Sequence, residues 1–191
     1  MNTFTRDTSH DDWKIDPTRT AIIVNSVDGR LDILLRQYID VRFPVDCLFM
    51  PGPDFQREQL VVARNRVMEE LVLRSSDRFQ HFVFFDDDLK PDWRTDLMFK
   101  TAGDVVGCEY PLESNVAWLR PDDVHLSCVR FTRDVAKTLK APYFKFAYND
   151  NVTRCLSCEC THFRDSCLAA GFRVVRAGLA EHGNLRRWSC T

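Results

Sequence analysis

Apolar residues in this chain come in short blocks separated by amphipathic stretches. Ala21, Ile22, Ile23 and Val24 form a continuous run rich in β-branched residues, the pattern of a strand covered on both faces. The run stops at the turn-prone Asn25-Ser26-Val27-Asp28-Gly29. Leu31, Leu34, Leu35 and Tyr38 then recur at helical spacing. Residues 45–50 read as a second short strand, closed by Pro51-Gly52-Pro53. Between positions 57 and 74, Leu60, Ala63, Val67, Leu71 and Val72 lie on one stripe of a helix. Phe82, Val83, Phe84 and Phe85 predict a buried strand that runs directly into Asp86-Asp87-Asp88.

Beyond the aspartates, Asp92 is placed to cap a helix reaching Phe99. Positions 105–108 and 126–129 predict further strands, and 133–140 a short helix. A last helix over 161–170 ends at Gly171, a residue suited to a left-handed C-cap, and 172–175 completes the strands. This alternation predicts an α/β fold: a single Rossmann-like α/β/α sandwich with a mainly parallel central sheet. Residues 1–18 are polar and read as a loose lead-in, leaving 19–191 as one domain.

Composition agrees with a packed globule, at 45% hydrophobic and 12% aromatic residues with only 7 Gly. No apolar run approaches the ~20 residues needed to cross a bilayer. The opening residues carry no apolar core of a secretory signal, so the expected location is cytoplasmic, the host cytoplasm if the chain is phage-encoded. There the 8 cysteines read as reduced thiols or a metal site rather than disulfides. Charge is unevenly spread. From residue 120 onward there are 12 Lys/Arg against 7 Asp/Glu, and before it 14 against 21. An acidic part suited to a cation thus adjoins a basic part suited to a polyanion.

The three aspartates carry the candidate chemistry. Adjacent carboxylates repel one another, and a divalent cation relieves that repulsion through hard oxygen ligands. In extended backbone alternate side chains share a face, so Asp86 and Asp88 would turn to one ion and Asp87 away from it. Such an ion would neutralise charge on a departing nucleoside diphosphate. The competing reading is a solvated acidic turn.

The segment FVFFDDDLKP resembles the strand and DxD motif of GT-A fold glycosyltransferases. VVARNRVMEELV is similar to the helix that precedes that motif in many members, and ECTHFRDSCLAAG is similar to their "ED" helix. His182-Gly183 follows where the family often has a late histidine. The resemblance spans about residues 21–183. It implies a metal-dependent glycosyltransferase, using Mn²⁺ or Mg²⁺ and a nucleotide-sugar donor, a UDP-sugar first among the candidates. In that pattern Asp86 contacts the donor and shares the metal site, while Asp88 and His182 ligate the ion. Asp28 either meets the nucleobase or ribose or is a turn aspartate. Arg64 and Asn65 either support the nucleotide pocket or, for Arg64, lie on the helix surface. Glu159 is the expected general base. Cys160 departs from the family, standing where the second acid of the pair belongs.

Cys155, Cys158, Cys160 and His162 are dense enough to hold a structural zinc, although a second Cys-x-x-Cys is missing. Small buried thiols are the alternative. The cluster also suggests a rival class, a zinc-stapled nucleic-acid-binding module without catalysis, served by Arg173, Arg176, Arg186 and Arg187. The small size and basic C-terminal part resemble phage enzymes that glycosylate hydroxymethylated pyrimidines in DNA. Trp93, Trp118 or Trp188 would then stack on an exposed base. A glycan or small-molecule acceptor is the other expectation.

Overall fold

The computed structural model describes residues 10–26, 30–50, 57–75, 77–109, 124–148 and 155–182, with backbone alone at 57–60, 71, 155, 156 and 182. The expected strand β1 (Thr20–Asn25) is buried along its whole length. It pairs in parallel with β3 (His81–Asp86), from Thr20 opposite His81 to Asn25 opposite Asp86. That register brings the carboxyl ends of both strands to one edge, where ligands of α/β sheets collect.

β2 (Leu48–Phe49) lies outside β1 in parallel. On the other side of β3 runs β6 (Cys128–Thr132), antiparallel, followed by β5 (Val105–Glu109) and β9 (Val174–His182). β5 and β9 are mutually parallel, and β4 (Leu89–Pro91) closes the edge antiparallel to β9. The order is β2-β1-β3-β6-β5-β9-β4. Five of the seven strands run one way, in keeping with a mainly parallel sheet, and β6 and β4 oppose them. A continuous apolar run marks a strand covered on both faces but carries no direction, so which strands are reversed emerges only from the fold. A second sheet pairs β7 (Ala147–Tyr148) with β8 (Cys155–Ser157).

Helices cover both faces of the large sheet. On one face Ala21, Ile23, Phe82 and Phe84 pack with α2 (Arg57–Val67), α4 (Arg133–Thr138) and α5 (Glu159–Ala169). On the other, Ile22, Val24, Val83 and Phe85 meet α1 (Ile33–Arg42) and α3 (Leu97–Lys100). The period-2 alternation of β1 and β3 thus feeds two cores at once. Each buried phenylalanine contributes about 1.5–3 kcal/mol. From His10 onward the lead-in is fastened to this second core: Trp13 stacks on Phe99 at 4.6 Å and Ile15 is buried.

Several boundaries differ from the sequence pattern for local reasons. Val45–Cys47 is a 3-10 turn, so only Leu48–Phe49 joins the ladder. The helix expected over 57–74 changes to a π-helical turn at Met68–Val72. Asp92 caps a turn rather than a helix, accepting from the Arg94 amide at 2.7 Å, and α3 starts only at Leu97. Gly171 does end α5 in the left-handed region, at φ 84°. Gly178, at φ 90°, has no room for a side chain, since a Cβ would lie 2.8 Å from the Arg94 carbonyl oxygen. There β9 passes from β5 to β4, and this carries His182 to its pairing with Leu89.

Candidate active site

The Asp86–Asp88 turn is stitched into the sheet edge through its backbone. The Asp86 amide donates to the Ser127 carbonyl at 2.9 Å, and the Asp87 amide to the Asn25 carbonyl at 3.1 Å. The Asp87 carbonyl accepts from Asp32, whose own side chain caps α1. All three aspartates are half-buried. Asp88 immediately precedes Leu89, the residue whose backbone pairs with that of His182. The side chain of His182 lies outside the described residues.

Arg64 organises the site. Its guanidinium is only 2% exposed, which excludes the helix-surface alternative. Nη2 donates to Asp86 Oδ1 at 2.8 Å, and Nη1 donates to Glu159 Oε1 at 2.9 Å. One cation from α2 thus joins the end of β3 to the first turn of α5. Burial works against the charge on Arg64, yet Asp86 and then Glu159 outweigh it and hold its pKa above the ordinary arginine value. Glu159 is pushed toward its neutral form. Burial raises its pKa above the usual carboxylate value, and Arg64 offsets this only in part. Arg64 Nε has no hydrogen-bond partner among the described residues.

Asn65, the next residue on α2, has a different task. Its side-chain oxygen accepts from the amides of Tyr143 at 2.7 Å and Phe144 at 3.2 Å. Its nitrogen donates to the carbonyls of Phe144 at 2.8 Å and Val61 at 2.9 Å. It therefore staples the segment after the cis Ala141–Pro142 bond to α2 and keeps that helix in place behind Arg64.

Sequence reasoning passed over Asn25. It is 6% exposed, lies opposite Asp86 in the ladder, and its Nδ2 has no hydrogen-bond partner among the described residues. Alternation along β1 places it on the Ala21 and Ile23 face, the one that carries Arg64 and Glu159. The signal was a polar residue closing an apolar strand. Asp28 lies outside the described residues, although the ends of its loop meet where Ser26 Oγ donates to the Arg30 carbonyl at 2.7 Å.

At the start of α5 two of the four expected zinc ligands come together and His162 does not join them. Cys158 and Cys160 come together with Glu159, their ligand atoms within 4.8 Å of one another. His162 Nε2 sits 3.1 Å from the Pro142 carbonyl instead. The side chain of Cys155 lies outside the described residues. The Cys160 thiol beside it, and then the Thr161 hydroxyl, lower the pKa of Cys158 to about 5, making it a thiolate at neutral pH. Cys160, pushed up by Cys158 and by burial, keeps its proton. The Leu126 amide donates to Cys160 Sγ at 3.5 Å, so this half-buried thiol packs on the segment before β6.

Of the residues expected to meet a polyanion, Trp93 is 70% exposed and Arg173 is exposed. Arg176 lies 3.0 Å from Glu109, near enough for an ion pair but poorly aligned for a hydrogen bond. Trp118, Trp188, Arg186 and Arg187 lie outside the described residues. Among the described residues no helix is long and apolar enough to cross a membrane.

No protein-family model matches the chain, and no curated protein matches it significantly. The fold is similar to the crystal structure of A197 from STIV, with a TM-score of 0.51 and 15% identity over 85% of this chain and 81% of that one. At that identity the likeness concerns the α/β fold alone.

Proposed function

We propose that this chain is a metal-dependent glycosyltransferase of GT-A type, moving a sugar from a nucleotide-sugar donor to an acceptor hydroxyl. The observation that carries the reading is the buried Arg64 bridge between Asp86 and Glu159. It joins the acidic strand end to a carboxylate of raised pKa, and perturbed, buried acids of that kind cluster at reaction sites.

Asp88 and His182 would hold the Mn²⁺ or Mg²⁺ ion. The fit rests on a half-buried carboxylate at a strand terminus, one residue before the position that pairs with His182. When bound, the ion would neutralise charge on the nucleoside diphosphate leaving group. One Asp86 oxygen is held by Arg64, so Asp86 serves to orient the donor rather than to supply most of the ion's charge. Glu159, kept in one rotamer by Arg64, takes the proton of the acceptor hydroxyl. Its raised pKa brings it nearer the operating pH, as a general base requires. Asn25 offers its Nδ2 as a donor to the nucleotide.

For the acceptor we favour DNA carrying a hydroxymethylated pyrimidine, with exposed Trp93 as the stacking surface. The test is release of nucleoside diphosphate from UDP-, GDP-, CDP- and TDP-sugars with Mn²⁺, with and without that DNA. Release should need the metal, rise with the acceptor and fall by about 10²–10⁴-fold in Glu159→Gln. No release from any donor, with DNA, glycan or small-molecule acceptors present, would refute the activity.

A further inference from the structure

We propose that Cys158, Glu159 and Cys160 form a binding site for a thiophilic divalent cation such as zinc, distinct from the hard-cation position at Asp88. Both thiols are free, and the three ligand atoms lie within 4.8 Å of one another. Tetrahedral zinc, with Zn–S and Zn–O bonds of about 2.3 and 2.1 Å, sets its ligand atoms about 3.6–3.8 Å apart. The cluster therefore closes on an ion with a contraction of at most about 1 Å.

Two further observations point the same way. The Leu126 amide donates to Cys160 Sγ at 3.5 Å, the outer-sphere support that metal-bound thiolates commonly receive. Cys158 is half-buried, which leaves an entry path and a fourth position for water. His162 stands outside this group of ligand atoms, and its Nε2 sits 3.1 Å from the Pro142 carbonyl.

The site has a consequence because Glu159 belongs to two arrangements. Its Oε1 accepts from Arg64, and ligation would draw the carboxylate from that pair toward the thiolates. Resting on the transferase reading, this makes zinc an inhibitor that removes the general base while leaving the Asp88 position open.

The probe is Co²⁺ added to the full chain under reducing conditions. A thiolate-to-cobalt charge-transfer band should appear at one equivalent and disappear on addition of Zn²⁺. Cys158→Ser and Cys160→Ser should each lose the band, whereas Asp88→Ala and Cys47→Ser should keep it. A band that never forms, or that survives either serine substitution, overturns the site. Should a serine variant fail to fold, alkylation mapping of the unmodified chain decides. Zn²⁺ should slow iodoacetamide labelling of Cys158 and Cys160 at least about tenfold, and unchanged labelling overturns the proposal. Binding is read without turnover. An intact cobalt band with no nucleotide release therefore rejects the transferase alone, and the reverse result rejects the zinc site alone.

Discussion

Arg64 Nη1 lies 2.9 Å from Glu159 Oε1, inside the protein and across 95 residues of sequence. With the second contact to Asp86, the guanidinium is shared by two carboxylates, and burial pushes Glu159 toward its neutral form. Removing the cation would leave both acids uncompensated. Arg64→Met should therefore cost about 3–5 kcal/mol in urea unfolding at neutral pH. The cost should shrink on acidification. Loss of Arg64 raises the folded-state pKa of both acids, and a raised pKa favours the native state once the pH falls below it. A penalty equal at about pH 8 and about pH 5 would contradict the shared pairing.

Arg64→Lys separates charge from geometry. A lysine supplies a point charge but not the fork that reaches Asp86 and Glu159 together. The variant should fold, with much of the Arg64→Met penalty relieved, yet lose nucleotide release by at least about tenfold. Release at the level of the unmodified chain would mean that the bridge does not position Glu159.

Asn65 makes four hydrogen bonds to backbone groups, three of them on the segment after Pro142. Asn65→Ala leaves the Tyr143 and Phe144 amides unsatisfied and should cost about 1–3 kcal/mol by thermal or urea unfolding. Asn65→Asp keeps the acceptor and should cost less. Equal losses would place the stabilisation in the donated bonds instead.

Much of this arrangement was legible in the sequence, and the reasons are physical. Phe82 to Phe85 announced a strand because four apolar residues in a row suit a position covered on both faces, and the triplet's place at the sheet edge followed. Gly171 announced its helix end because it tolerates positive φ. Arg64 was different. A guanidinium on an amphipathic helix reads the same whether it meets water or a distant carboxylate, so its burial emerged only from the fold. Asn65 read as a pocket residue, although its amide is spent on backbone. The antiparallel run of β6 and the long reach of β9 were hidden because chain direction and a bend at Gly178 leave no mark in hydrophobic spacing.

His81, at the start of β3, provides a pH signature away from the site. Burial, helped by Arg130 and Arg19, lowers its pKa from 6.5 to about 4. Above 6.5 the ring is neutral in both states and costs nothing. As the pH falls from about 6.5 to 4, the unfolded chain takes up a proton that the folded chain refuses, so stability declines, by on the order of 3 kcal/mol at most. His81→Gln should flatten this part of the stability–pH curve. A curve of unchanged slope in the variant would assign the loss to other groups.

The most direct test of the central claim is the melting temperature of the chain with Mn²⁺ and a nucleoside diphosphate, singly and together. Each alone should do little. The pair, near a hundredfold over its dissociation constant, should add about 2.7 kcal/mol, a rise of roughly 5–10 °C, which Asp88→Ala abolishes. If no combination of Mn²⁺ or Mg²⁺ with UDP, GDP, CDP or TDP moves the transition, or if Asp88→Ala shifts as the unmodified chain does, Asp86-Asp87-Asp88 is an acidic turn and the donor site is not there.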